Sequence, residues 1–95
     1  MEALIIDDEP MPAKHLAALI KYHCFEISST HLCHSPAKAL KLLKEREFDL
    51  LFLDVEMPEM SGFDLLKQAE LPAHTTVIFT TAFSEYAVEA FQVNA

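Results

Sequence analysis

Phe48-Asp49-Leu50-Leu51-Phe52-Leu53-Asp54 is the stretch that decides the architecture. A nearly unbroken apolar run that ends in an acid predicts a central strand covered on both faces, and such strands belong to parallel sheets flanked by helices. Working outward, Ala3-Leu4-Ile5-Ile6 is a second apolar run that stops abruptly at Asp7-Asp8-Glu9-Pro10. Thr75 to Thr80, rich in β-branched residues, predicts a further strand, and Ile27 to Cys33 a weaker one. After Pro12, the residues Ala13, Leu16, Ala17, Leu19, Ile20 and His23 recur at helical spacing and are expected to face inward. Ser35-Pro36 supplies an N-cap and a proline at the first helical position, opening a helix with Ala39, Leu40 and Leu43 inward. Ser61-Gly62-Phe63-Asp64 starts a third helix that directs Phe63, Leu66 and Ala69 to the core, and Ser84 starts a fourth that runs through Phe91. The order β-α-β-α-β-α-β-α predicts one α/β domain, a doubly wound parallel sheet with right-handed crossovers.

Ninety-five residues allow one small core and no second folded unit. Fifteen acidic residues against seven basic ones give a net charge of −8, which excludes a phosphate-backbone grip by this segment. No direct nucleic-acid contact is therefore expected here. The start lacks a basic leader, and the longest uninterrupted apolar stretch falls far short of a membrane span, so a cytoplasmic location and no membrane contact are expected. Cys24 and Cys33 cannot build the disulfide framework of small secreted domains, and both are expected to be free thiols.

In a sheet of this type, ligands bind beyond the carboxyl ends of the strands. Three of those ends carry polar groups: Asp7 and Asp8 after the first strand, Asp54 after the third, and Thr80-Thr81 after the fourth. Bringing carboxylates within about 4 Å costs on the order of 4 kcal/mol per pair at an effective dielectric near 20, so the cluster needs a cation or raised pKa values. Oxygen donors of this kind suit Mg²⁺ better than Zn²⁺. A carboxylate beside such a metal is also a plausible nucleophile, because the metal screens an incoming phosphoryl group. The plain alternative is that these acids are loop residues and helix caps. Three strand ends agreeing weighs against it.

Leu4-Ile5-Ile6-Asp7-Asp8-Glu9-Pro10, Asp49-Leu50-Leu51-Phe52-Leu53-Asp54-Val55-Glu56-Met57-Pro58, Met60-Ser61-Gly62 and Ile78-Phe79-Thr80-Thr81-Ala82 together resemble the receiver domain of two-component response regulators. With Phe83-Ser84-Glu85-Tyr86-Ala87, Ala90-Phe91 and Val93-Asn94-Ala95, the chain is most similar to the LytTR-type regulators. The resemblance covers residues 1–95 as a receiver domain and implies a flavodoxin-like sheet of strand order 2-1-3-4-(5). It implies that Asp54 accepts a phosphoryl group from a sensor histidine kinase, that Thr81 is the switch hydroxyl, and that the domain accepts phosphate without being a turnover enzyme. It further implies that Mg²⁺ is held by Asp8, Asp54 and the main-chain carbonyl of Glu56, with Asp7 acting mainly through water. Pro58 and Gly62 would shape the loop after the acceptor strand, a second receiver is an expected partner, and DNA would be bound by a separate output domain. Such receivers continue into a fifth strand ending in Lys-Pro and a fifth helix, whereas no lysine follows Lys67 here. The chain is accordingly expected to be C-terminally incomplete, with the edge of the fourth strand left bare.

Two rival functions are weighed against this. A metal-dependent phosphatase or transferase would carry an acid/base two residues after its nucleophile; that position is Glu56, followed by Met57-Pro58. A receiver-like interaction module that is never phosphorylated is favoured by the absent lysine and opposed by Asp7, Asp8, Asp54 and Thr81. His23-Cys24 and His31-x-Cys33-His34 have zinc-ligand chemistry without a recognised ligand spacing, and a half-buried edge strand accounts for His31 and Cys33. His15 and His74 are expected at the surface without partners, and Met57 and Met60 are expected to pack the acceptor loop.

Overall fold

A computed structural model describes residues 1–80 and the backbone of 92–94. Its elements are β1 (Glu2–Ile6), α1 (Pro10–His23), β2 (Ser29–Cys33), α2 (Pro36–Glu45), β3 (Leu50–Asp54), α3 (Gly62–Gln68), β4 (Thr76–Thr80) and β5 (Gln92–Asn94). The helix expected from Ser84 to Phe91 lies outside the described residues. The strands form one sheet in the order β2-β1-β3-β4-β5, with the first four parallel as expected. Register aligns their carboxyl ends: Ile6 stands opposite both Cys33 and Leu53, and Asp54 opposite Thr80.

Alternation along the strands divides the core in two. Leu4, Ile6, Leu51, Leu53, Val77 and Phe79 face Ala39 and Leu43 of α2 and Leu65 of α3. On the other face Ile5 packs against Ala13 and Ile20 of α1, with Leu16, Ala17 and Phe52 at the margin. The helices thus cover both faces. Ser61 caps α3 by accepting from the Asp64 N–H at 3.1 Å, and Ser35 accepts from the Lys38 N–H at 3.4 Å, as the sequence signals require.

Four expectations need correction. The edge of β4 is not bare, because Gln92–Asn94 pairs with it antiparallel, Val77 opposite Val93. An apolar strand with free N–H and C=O groups accepts any extended segment, and an antiparallel one needs no crossover helix. Leu19 is 44 % exposed and His23 is also exposed, since the stripe that meets the sheet runs through Ala13, Ala17, Ile20 and Cys24, well over a quarter-turn from Leu19. Phe63 is half exposed, lying against Phe79 with ring centroids 4.7 Å apart, while Leu65 takes the fully buried place. His74 has partners: its Nε2 lies 3.8 Å from Glu47 and 3.9 Å from Asp49.

Candidate functional site

β1 and β3 end side by side, and their first residues past the apolar runs are acids. Oxygens of Asp7, Asp8 and Asp54 all lie within 4.8 Å of one another, the one such cluster of possible metal ligands among the described residues. Asp54 is the innermost, only 7 % exposed. Its carboxyl pKa is raised from 3.8 to about 7, first by burial and next by the charge of Asp7; a hydrogen bond with the Asp7 carboxyl and the charge of Asp8 add to this. The Glu56 N–H, 3.3 Å from Asp54 Oδ1, opposes the rise by stabilising the anion. Among the described residues, no Lys, Arg or His side chain forms an ion pair with any of the three carboxylates.

The loops around the cluster are pinned by backbone bonds. The Asp7 N–H donates to the Cys33 carbonyl at 3.0 Å, and the Glu9 N–H donates to Asp7 Oδ1 at 2.9 Å. On the other side the Val55 N–H donates to the Thr80 carbonyl and the Gly62 N–H to the Val55 carbonyl, both at 2.9 Å. This folds the start of α3 onto the acceptor strand so closely that a Cβ on residue 62 would drive into the Asp54 carbonyl oxygen. Only glycine fits there. The result is an open cleft of about 550 Å³ lined by Asp8, Val55, Glu56, Met57, Pro58 and Ser61. Met57 is buried and Met60 packs against the core, as expected of loop-packing residues.

Asp7, Asp8, Asp54 and the main chain of Glu56 are therefore brought together, and Thr81 lies outside the described residues. The donor set is all oxygen, it is negatively charged, and its members repel one another without a compensating cation. Such a set fits Mg²⁺. The zinc ligands considered above do not converge: the His31 ring packs edge-on against Phe48, and the Cys33 thiol donates to the Ser35 carbonyl at 3.4 Å. Cys24 and Cys33 are free thiols.

The model of the response regulator receiver domain family matches residues 3–95. The chain belongs to that family. This receiver is 40 % identical over 96 residues to the sensory transduction protein LytT of Enterococcus faecalis, a match that covers all of the chain and 39 % of the relative. It is 37 % identical over 98 residues to the sensory transduction protein LytR of Streptococcus agalactiae, again with 39 % of that protein covered. The chain thus spans well under half the length of these curated relatives. Among solved structures it resembles the response regulator TrrA of Thermotoga maritima in complex with Mg²⁺-BeF, with a TM-score of 0.70 and 26 % identity over 93 % of this chain and 75 % of that one.

Sequence reasoning missed two features near the sheet ends. His34 Nδ1 lies 2.9 Å from the Asp7 carbonyl oxygen, a bond across 27 residues that no local pattern announces. Arg46, Glu2 and His31 form a paired cluster at the opposite end of the sheet, visible only once the register of β1 against β2 is known. Among the described residues no helix is long and apolar enough to cross a membrane.

Proposed function

We propose that this receiver takes a phosphoryl group onto Asp54 from the phosphohistidine of a sensor histidine kinase. The observation that carries the reading is a buried carboxyl, raised to about 7, that lies within 4.8 Å of two further carboxylates and has no ion-pair partner among the described residues. Repulsion of that kind is costly in a structure that only has to fold, and it is useful in one that has to bind a cation and an anion in turn. Asp7, Asp8 and Asp54, with the main-chain carbonyl of Glu56, would hold Mg²⁺; the complex of TrrA with Mg²⁺-BeF supports this. When bound, the cation supplies charge that keeps Asp54 ionised and offsets repulsion with the phosphoryl oxygens.

In the transfer, an Asp54 carboxylate oxygen attacks phosphorus, the donor's P–N bond breaks, and the imidazole leaves and takes a proton from solvent. The product is an acyl phosphate on Asp54. The Glu56 N–H already bonds the Asp54 carboxyl and holds one oxygen in place while the other attacks. Gly62 keeps the α3 end close to the acceptor without a side chain in the way. Thr81 is assigned the hydroxyl that bonds the transferred group. Docking of the kinase is supported by a stripe of exposed apolar side chains on α1, Met11, Leu19 and Tyr22, which begins immediately after the acidic loop. The group is accepted once and passed into signalling, so the domain is not a turnover enzyme. In the whole protein it would control a DNA-binding LytTR output domain in the cytoplasm; the signalling part of this reading is supported by the similarity to the sensory transduction proteins LytT and LytR.

Beryllofluoride with Mg²⁺, followed by amide NMR shifts in the wild type and in Asp54→Asn, tests the assignment. Saturable shifts at residues 54–62 that require Mg²⁺ and vanish in the variant are expected. A folded wild type without any Mg²⁺ response would replace this reading with an unphosphorylated interaction module.

A further inference from the structure

The β1–β2 ladder continues one step beyond the strands, where the Asp7 N–H meets the Cys33 carbonyl at 3.0 Å. In a regular parallel pair the next rung would bring a backbone donor from the β2 side to the Asp7 carbonyl. Among the described residues no backbone donor reaches that oxygen. The imidazole of His34 takes its place, with Nδ1 2.9 Å away. A carbonyl oxygen only accepts, so Nδ1 carries the proton. We infer that His34 is a positioning residue for the acidic cluster: its Nδ1–H clamps the Asp7–Asp8 peptide and thereby fixes the two carboxylates opposite Asp54.

The geometry gives this clamp its importance. Asp7 is held to the β2 side through its N–H in one peptide group and through its carbonyl in the next, and the second attachment depends on a side chain. Asp8 follows directly, and its carboxyl must stay within 4.8 Å of Asp7 and Asp54. Releasing the carbonyl lets the peptide rotate and lets the mutually repelling acids move apart. His34 is itself exposed, so its bond adds little to the stability of the fold. Its effect is instead local, on where the carboxylates stand. The inference rests on the cation-binding reading above, but the clamp itself exists without metal.

Asparagine separates the roles. Its side-chain amide nitrogen stands at the same distance along the side chain as Nδ1 of histidine, whereas that of glutamine reaches to the position of Nε2. The experiment compares the full chain with His34→Ala, His34→Asn and His34→Gln in two measurements. The first is amide hydrogen exchange of Glu9 without metal, since its N–H donates to Asp7 Oδ1 and reports on the loop. The second is the Mg²⁺ dissociation constant from amide shifts. Faster Glu9 exchange and roughly fivefold weaker Mg²⁺ binding are expected in His34→Ala and His34→Gln, with both restored in His34→Asn and melting temperatures nearly unchanged. Wild-type exchange and affinity in His34→Ala would overturn the clamp while leaving the metal reading intact. If the wild type itself fails to bind Mg²⁺, the metal reading fails, and Glu9 exchange alone decides: unchanged exchange in His34→Ala rejects the clamp, and accelerated exchange rescued by asparagine upholds it.

Discussion

The two ends of the parallel sheet carry similar numbers of acids and treat them in opposite ways. At the amino end, Glu2 is paired with Arg46 and lies 3.6 Å from His31, while Asp49 accepts from the Glu2 N–H at 2.8 Å and lies 3.9 Å from His74. Arg46 also stacks 4.7 Å over the ring of Phe48, which is almost fully buried. At the carboxyl end, Asp7, Asp8 and Asp54 face one another without an ion-pair partner among the described residues. Counting acids does not find a site; asking which acids have been left without a countercharge does. The amino end is read as structural, and the carboxyl end as the place where stability is given up for binding.

The comparison is broken most severely at Phe48. Phe48→Ala removes the largest fully buried side chain among the described residues and the platform under Arg46, and about 3 to 5 kcal/mol of stability is expected to go with it in chemical denaturation. Where the variant still folds, its Mg²⁺ affinity should match the wild type, since residue 48 sits at the far end of the sheet. Weakened Mg²⁺ binding in the folded variant would show that the two ends are coupled.

A smaller effect of opposite sign is expected at Asp54. Its folded pKa is raised, so the folded state holds the proton more tightly than the unfolded chain does. Stability from this group is therefore fully present below about pH 3.8 and is lost as the pH rises through about 7. Asp54→Asn is neutral throughout and escapes the loss. Without metal it should match the wild type near pH 4 and be more stable by about 2 kcal/mol at pH 8, roughly half the full value at 1.36 kcal/mol per pH unit because the loop acids can move apart as Asp54 ionises. Parallel stability curves across that range would mean that Asp54 is not under charge stress. The smallest effect belongs to Arg46→Ala, where an exposed ion pair and a cation–π contact together contribute on the order of 1 kcal/mol, reduced further by salt.

Much of this was legible in residue order alone. Apolar runs ending in acids set β1 and β3, and the rule that parallel strands end at a common edge was enough to place Asp7, Asp8 and Asp54 together. What stayed hidden depends on distance in sequence or on which part of a helix meets the sheet. Leu19 satisfies helical spacing as well as Ile20 does, but the sheet touches one stripe of α1, and the sequence does not say which. Glu2 and Arg46 are 44 residues apart, and His34 reaches Asp7 across 27, so neither contact leaves a local pattern. The pairing of Gln92–Asn94 with β4 was missed for a different reason: an exposed strand edge specifies that something must pair with it, and not what.

The carboxyl carbon of Asp54, followed by ¹³C NMR through a pH titration with and without Mg²⁺, shows whether the buried acid is held protonated until a cation arrives. A midpoint near 7 is expected in the metal-free protein, falling by more than one pH unit when Mg²⁺ is added. A midpoint close to the ordinary value of 3.8 that Mg²⁺ does not move would contradict it.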